Sequence, residues 1–342
     1  MDPPSLTVQR LGSPGVKVIV AYIPSRSRLV TDQVRERANM MTDAETVEVE
    51  LGSRTVRVPA DGLFARYRMN TDLDVVEADP RVRSVDFFRT LPKTTVESAI
   101  GNTLTPNFYY AMSKAQITYL APVRALRSRL PEGLDPLTVA PGIGLFSVVF
   151  FRYDVCDIDF YTEATVGIAV KEVRHGNLAP VDLLSALGND HLYSYVLSLP
   201  VNTEIAQVRG HDGYGFPKWV TDIDVDIDDR YVRARVANDD GGTDIDLYVA
   251  TPKQKRVPTG TSVSTLTSYT ELNGGWHQTL SQTNNLVFGS ALLPNNVGLE
   301  LGSGRLSDDI RSLKPKRPLR LDVFTRCQNA LHIPVPVSFP SR

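Results

Sequence analysis

The sequence has few cysteines and few histidines, which limits the ways in which it can be cross-linked or can bind a metal. It contains 2 cysteines, Cys156 and Cys327, and 5 histidines in 342 residues. Two cysteines cannot build a disulfide framework, and the scattered histidines give no zinc-ligand spacing. Both cysteines lie in apolar, strand-like surroundings, so we expect buried and unreactive thiols.

The chain also lacks an excess of charge of either sign. Its 37 Lys and Arg residues stand against 39 Asp and Glu residues, which gives a formal net charge of −2. Binding to nucleic acid or to an anionic membrane needs a basic excess, so we expect neither partner. The acidic stretch at 222–229 lacks the glycine and ligand order of an EF-hand, and its alternation predicts a strand with one solvated face.

Long apolar runs are missing as well. No window approaches the length that a membrane helix needs, and the start, Met1-Asp2-Pro3-Pro4, has no signal-peptide pattern. We therefore predict a cytoplasmic protein.

Short segments with a two-residue hydrophobic period fill the chain from Ile117 onward. Gly, Asp, Asn or Pro separates them, which is typical of antiparallel sheets. We predict strands at 148–155, 163–173, 193–199, 205–208, 221–227, 231–236 and 244–250. Many short strands at close spacing indicate an antiparallel barrel or sandwich.

The first hundred residues have a mixed pattern. We predict a strand at 16–23, a helix at 31–41 and a β-hairpin formed by 47–51 and 55–58. A further short helix is predicted at 181–187, between two of the later strands. The pattern assigns no role to the N-terminal part of the chain.

One stretch, from Arg209 to Trp219, has the composition of a ligand site. Its glycines and Pro217 allow tight turns and a close approach of the backbone to a ligand. Lys218 lies among aromatic residues that can exclude water from its amine. Burial favours the neutral amine, which can attack a carbonyl carbon and form a Schiff base.

The pattern from Gly210 to Lys218, ending in aromatic-Pro-Lys, resembles the lysine motif of the acetoacetate decarboxylase family. Other landmarks occur in the family's order: Ile117-Thr118-Tyr119, residues 123–134, and Tyr161-Thr162-Glu163. Later segments at 258–269 and 318–334 are similar to the family's last strands. The resemblance covers about residues 105–340.

The resemblance implies an α+β, mostly β fold: an antiparallel β-barrel at 105–342, preceded by a small mixed extension at 1–104. It implies that Lys218 forms an imine with the substrate and that Glu163 acts as acid or base in the same cavity. It also implies a homo-oligomer, and a small-molecule carbonyl compound as substrate. No metal or organic cofactor is expected, because the imine itself accepts electrons.

Other side chains are candidates for the walls of the cavity. We expect Phe216, Trp219 and Tyr214 to exclude water from the amine, and His211 to shape the loop with Asp212 or to relay protons. A pocket for a second substrate would be lined by aromatic and imidazole side chains of the late segments, namely Trp276, His277 and Tyr269.

The sequence departs from the family at three positions. Trp219 replaces the second lysine that follows the imine lysine in decarboxylases, Val148 replaces an acidic residue, and the family's substrate-carboxylate arginine falls near Met112. These changes leave three functions open. They are a Schiff-base lyase of decarboxylase or aldolase-dehydratase type, an enzyme that uses the cavity without an imine for hydration, cyclisation or isomerisation, and a non-catalytic ligand-binding barrel.

Overall fold

Long strands with alternating side chains dominate the computed structural model, which describes residues 45–171 and 191–339. The strands are β1 (Thr46–Leu51), β2 (Arg54–Pro59), β3 (Thr94–Ser98), β4 (Gly101–Thr105), β5 (Asn107–Pro122), β6 (Thr138–Ala140), β7 (Ile143–Cys156), β8 (Tyr161–Ala169), β9 (His191–Ser198), β10 (Ile223–Ile227), β11 (Tyr231–Ala237), β12 (Thr243–Ala250), β13 (Lys255–Arg256), β14 (Val263–Leu272), β15 (Gly275–Leu292), β16 (Gly298–Leu301), β17 (Pro318–Leu331) and β18 (Val335–Pro336). The helices are α1 (Leu63–Tyr67), α2 (Leu73–Glu77), α3 (Asp86–Arg89), α4 (Val123–Arg127), α5 (Glu204–Tyr214) and α6 (Arg305–Ser312).

Seven of these strands close into a barrel. They pair in the order β15-β14-β9-β8-β7-β5-β17, and β17 pairs back with β15. The pairs are antiparallel except for β14 and β9, which run parallel. The predicted mostly β fold with a barrel is therefore confirmed.

The outer face of the barrel is apolar because every second strand residue points away from the lumen, the space that the seven strands enclose. Ala115, Phe150 and Ala164 lie opposite one another on three consecutive strands and belong to one buried core. The sheet β10-β11-β12-β16 and helix α6 cover this face. Strand β10 buries Ile223 and Val225 and exposes the aspartates between them, as its alternation predicts.

The alternate residues point into the lumen, and many of them are polar. Lys114, Phe151 and Glu163 lie opposite one another on β5, β7 and β8, one residue out of step with the apolar row. Further along β5 and β7, the side chains of Thr118 and Ser147 lie 3.1 Å apart. The barrel thus has an apolar outside, while its inward face is polar around Thr118 and Ser147 and joins an apolar and aromatic core around Met112, Tyr153 and Tyr161.

Residues 45–105 pack against the barrel. The predicted hairpin of β1 and β2 is confirmed, and its inward valines join a core with barrel residues of β5, β7 and β8. A buried polar cluster also joins the two parts. The carboxylate of Asp157 accepts hydrogen bonds from Lys93 Nζ (2.6 Å), Thr71 Oγ1 (3.2 Å), Phe108 N (2.7 Å) and Tyr110 OH (2.7 Å).

One predicted strand is wrong. Residues 205–208 form the first turns of α5, in which Ile205, Ala206 and Val208 are buried. Three apolar residues in a segment of four fit a buried helix turn as well as a strand, so the pattern of so short a segment could not distinguish a helix from a strand. The elements predicted at 16–23, 31–41 and 181–187 lie outside the described residues.

Among the residues that the structure describes, no helix is both long enough and apolar enough to cross a membrane.

The Asp157 cluster gives a stability prediction. Replacing Asp157 with Ala leaves the Lys93 ammonium, which is 12% exposed, without its counter-ion. An unpaired buried charge is costly, so we expect the free energy of unfolding to fall by about 3–5 kcal/mol in urea denaturation. Glu48→Ala is the control: it breaks an exposed pair with Arg57 and should cost less than about 1 kcal/mol. Equal losses in the two variants would contradict a structural role for the cluster.

Candidate active site

Helix α5 and the segment after it position the candidate lysine. The helix ends at Gly215, whose φ of 72° is left-handed and favours glycine. A Cβ at Gly215 would lie 2.6 Å from the carbonyl oxygen of Glu271, so the turn also needs a residue without a side chain. The following chain is extended and forms bridges with Val201, which itself bridges to Glu163 on β8. This arrangement holds Lys218 beside the barrel wall.

The structure brings the two predicted catalytic residues together. Lys218 Nζ donates a hydrogen bond to Glu163 Oε2 over 2.6 Å, and the two side chains are only 7% and 8% exposed. Charge-assisted hydrogen bonds of this kind are short and strong. The pair therefore forms a buried, directly connected amine and carboxylate.

Gly210 on α5 makes room for the lysine. A Cβ at this position would lie 2.4 Å from both Cδ and Cε of Lys218. The glycine of the motif and its lysine, eight residues apart, are thus in direct steric contact. Gly210 was predicted to allow a tight turn, but it lies inside a helix and is required for side-chain space.

Three tyrosines surround the pair, and none of them was named as a site residue from the sequence. Tyr153 on β7 donates a hydrogen bond to Glu163 Oε1 over 3.1 Å, so each carboxylate oxygen has its own donor. The Lys218 amine faces the ring of Tyr161, whose centroid is 5.6 Å away. The Tyr161 hydroxyl donates to Tyr109 OH over 3.2 Å, and the ring centroids of Tyr153 and Tyr161 are 4.3 Å apart.

The environment keeps these phenols protonated. Burial raises the pKa of Tyr153 well above its ordinary value, and the nearby charge of Glu163 adds to the shift. Burial is also the main cause of the raised pKa of Tyr161 and of Tyr109. Tyr153 therefore stays a hydrogen-bond donor to Glu163 at any pH that the fold tolerates.

Two of the predicted wall residues lie elsewhere. The rings of Tyr214 and Phe216 stack on each other with centroids 6.1 Å apart, in a small core with Val196 and Leu199. The Lys218 amine contacts Glu163 and the Tyr161 ring instead. Tyr161 is therefore the aromatic ring at the amine, and Tyr214 lies close enough to Tyr109 to contribute to the raised pKa of that phenol.

Trp219 and His211 line a groove of about 490 Å³ that Lys218 also borders. The guanidinium of Arg305 on α6 lies 5.2 Å from the Trp219 ring centroid. His211 is exposed, and its Nδ1 lies 2.7 Å from Asp212 Oδ1. Glu163, which accepts the hydrogen bond of the lysine amine, is not among the residues that line this groove.

The residues predicted for a second substrate lie at or near a second groove, which shares Leu197 and Pro217 with the groove beside Lys218. Trp276 packs against Phe339, with ring centroids 4.7 Å apart, and against Tyr195. Tyr195 and Tyr269 line this second groove of about 460 Å³. His277 Nδ1 lies 3.0 Å from the carbonyl oxygen of Gly275. Trp276 and His277 do not line the groove beside Lys218.

The departures from the family pattern have clear structural positions. Val148 is fully buried in the outer core of the barrel. Met112 is buried opposite Tyr153 on β7. Neither position offers a charge to a ligand. Among the residues described, no group of three or more His, Cys, Asp or Glu is placed to hold a metal ion.

One signal for Tyr153 was available in the sequence. It precedes Tyr161 by eight residues, and the two lie opposite each other where β7 and β8 pair. Recognising the hairpin from Phe151 to Glu163 would have placed both tyrosines and the glutamate on one face.

The Gly210 contact predicts a double-mutant cycle. Gly210→Ala should lower the free energy of unfolding by about 1–3 kcal/mol, because the new methyl group overpacks against the Lys218 side chain. In a Lys218→Ala background the same change should instead stabilise by roughly 0.5–1 kcal/mol, since alanine favours the helix. Urea denaturation of the four proteins measures the coupling. An effect of Gly210→Ala that is the same in both backgrounds would disprove the contact.

Comparison with known proteins gives a family and several structural neighbours. The profile of the acetoacetate decarboxylase family matches residues 91–331. The chain is similar to the acetoacetate decarboxylase of Legionella pneumophila subsp. pneumophila str. Philadelphia 1, with 12% identity and a TM-score of 0.49 over 78% of this chain and 95% of that one. No curated protein matches the sequence.

Two further solved structures are similar. One is the enduracididine biosynthesis enzyme MppR in complex with pyruvate, with 16% identity and a TM-score of 0.48 over 69% of this chain and 92% of that one. The other is an acetoacetate decarboxylase-like enzyme from Sphingomonas wittichii RW1, with 14% identity and a TM-score of 0.43 over 69% and 94%. The family profile spans more than half of the 342 residues, and the chain belongs to the acetoacetate decarboxylase family.

Proposed function

We propose that the protein is a Schiff-base lyase in which Lys218 forms the imine and Glu163 moves the protons. The observation that supports this most strongly is the 2.6 Å contact between Nζ and Oε2 inside a buried pair. A nucleophile and a base within hydrogen-bond reach are the geometry that covalent catalysis needs.

Imine formation follows from this geometry in two steps. Transfer of a proton from Nζ to Oε2 of Glu163 leaves a neutral Lys218 amine, which attacks the carbonyl carbon and forms a C–N bond. The amine nitrogen passes one of its two protons to the carbonyl oxygen, and Glu163 returns the proton that it took, so the oxygen leaves as water and the product is a protonated imine. Glu163 is the nearest group for returning that proton, because it already contacts Nζ.

The protonated imine then accepts an electron pair. In decarboxylation, the bond from the substrate to its carboxylate breaks, carbon dioxide leaves, and the electron pair forms an enamine. In the aldolase-dehydratase route, Glu163 removes a proton from the adjacent carbon to give the same enamine, which adds to an aldehyde and later expels water. Hydrolysis of the imine frees Lys218 in both routes. We propose a keto acid or a related carbonyl compound as the substrate.

Tyr153 has a positioning role in this proposal. Its hydrogen bond to Oε1 holds the Glu163 carboxylate so that Oε2 faces the amine. The tyrosine rings around the pair also limit access of water, which strengthens electrostatic interactions within the site.

A second candidate function uses the same pair without an imine. The Lys218 ammonium is already a donor to Glu163, and such a pair can serve as acid and base for hydration, cyclisation or isomerisation. The imine test below separates the two functions. The homo-oligomer and the cytoplasmic location stay predictions.

The imine is tested by intact-mass measurement after incubation with pyruvate or acetoacetate and borohydride. We expect one reduced adduct on the wild type, none on Lys218→Met, and an unchanged adduct on Lys255→Met, which replaces an exposed lysine. No adduct with either compound on the wild type, or an adduct that persists in Lys218→Met, would contradict the Schiff-base proposal.

The positioning role of Tyr153 is tested with a matched pair of variants. Tyr153→Phe removes the donor to Glu163, so the rate of adduct formation should fall by roughly tenfold or more, the value of a hydrogen bond to a charged group. Tyr161→Phe loses a hydrogen bond to Tyr109 OH instead and should retain most of the rate. Equal rates in the two variants would remove Tyr153 from the mechanism.

A further inference from the structure

A lysine that the proposed mechanism does not use lies in the same lumen. Lys114 on β5 is directly opposite Phe151 on β7, which in turn is opposite Glu163 on β8. On its other side, Lys114 is opposite Phe324 on β17. The next residue, Ala115, belongs to the outer core, so strand alternation turns Lys114 toward the lumen.

Lys114 has no counter-ion among the described residues. Its Nζ lies 4.6 Å from the centroid of the Phe324 ring, and within the described part of the chain no hydrogen bond or ion pair engages this amine. The residue as a whole is partly accessible, and its amine is nonetheless desolvated enough to lower its pKa. It thus presents a free amine to the lumen.

In the described part of the chain, the ionisable groups that face Lys114 do not act as a counter-ion of its amine. Burial lowers the pKa of the lysine, and the charges of Cys327 and Asp322 on β17 only partly oppose this shift. The Asp322 carboxylate already accepts hydrogen bonds from Arg320 Nε (2.8 Å) and Ser290 Oγ (2.5 Å). Glu163, one strand beyond Phe151, is engaged by Lys218.

Two other buried lysines of the described chain each have a carboxylate partner, which Lys114 lacks. Lys93 donates to Asp157 and Lys218 donates to Glu163, both over 2.6 Å. A buried ammonium without such a partner is costly, and a hydrocarbon side chain at the same place would not have this cost. An anion that enters the lumen would supply the missing counter-charge.

We propose that Lys114 binds the carboxylate of the substrate whose carbonyl carbon reacts with Lys218. This inference rests on the proposed function and specifies its substrate class, a carbonyl compound that carries an anionic group. Two steps between neighbouring strands separate the backbones of Lys114 and Glu163, which is about 10 Å. The inward side chain of Phe151 lies between them in the same row, so a small acid that reaches both charged groups would lie against its ring.

The lumen beyond Lys114 suits a charged ligand. Gln116 and Thr118 follow on the same inward face of β5, and Ser147 faces them from β7. Gln116 Nε2 donates to the hydroxyls of Thr118 and Ser147 over 3.3 Å in each case. A carboxylate held by Lys114 therefore meets hydrogen-bonding groups as well as the aromatic rings.

The test compares an anionic and a neutral carbonyl compound of the same shape. Adduct formation with pyruvate and with methyl pyruvate is followed under borohydride in the wild type, Lys114→Met and Lys114→Arg. We expect Lys114→Met to raise the half-saturating pyruvate concentration by about tenfold or more and to leave methyl pyruvate unchanged. Lys114→Arg, which keeps the charge, should restore most of the pyruvate response. Equal effects on both compounds, or no effect on either, would overturn the proposal.

A second measurement separates this inference from the imine itself. Butyrate has no carbonyl group that can react, so its binding by calorimetry depends on the anion site alone. We expect binding to the wild type and to Lys218→Met, loss of binding in Lys114→Met, and weaker binding as the pH rises through the lowered pKa of Lys114. Inorganic phosphate is the second probe: tighter binding of phosphate than of butyrate would reassign the site to phosphorylated ligands. Butyrate binding that is unchanged in Lys114→Met would refute the site even if the imine is found.

Discussion

The 2.6 Å contact between the Lys218 amine and the Glu163 carboxylate constrains the rest of the site. Two opposite charges in a buried place are stable together only when their geometry is good and their remaining hydrogen bonds are made. Tyr153 provides the second donor to the carboxylate, and Gly210 provides the space for the lysine side chain. Helix α5, its glycine C-cap and the extended segment after it can therefore be understood as the support of one ion pair.

The barrel makes such a pair possible because its strands separate two environments. One face of β5, β7 and β8 packs under a second sheet and carries an apolar core, while the other face lines a lumen that holds polar and charged side chains as well as aromatic ones. Charged groups in the lumen do not weaken the core, which lies on the opposite side of the same strands. Lys114 and Glu163 belong to one inward row, because the pairing register of β5, β7 and β8 places both charged groups on the lumen side of the strands.

Much of the fold and part of the site could be predicted from the sequence. The two-residue period gave the strands, and the resemblance to a family paired Lys218 with Glu163, which are 55 residues apart. The helix at 204–214 was missed because the three apolar residues within 205–208 fit either a helix turn or a strand. The tyrosine wall was missed because its members come from three strands, and their proximity depends on strand register. The inward position of Lys114 could not be predicted, because a lysine in an alternating strand usually faces solvent.

A crystal structure of the protein after borohydride reduction with pyruvate is the most direct test of this account. The account predicts continuous density from Nζ of Lys218 to the substrate carbon, with Glu163 within hydrogen-bond distance of the new nitrogen and the carboxylate directed at Lys114. Density attached to another lysine, or an adduct at Lys218 that points out of the lumen and away from Glu163, would contradict it.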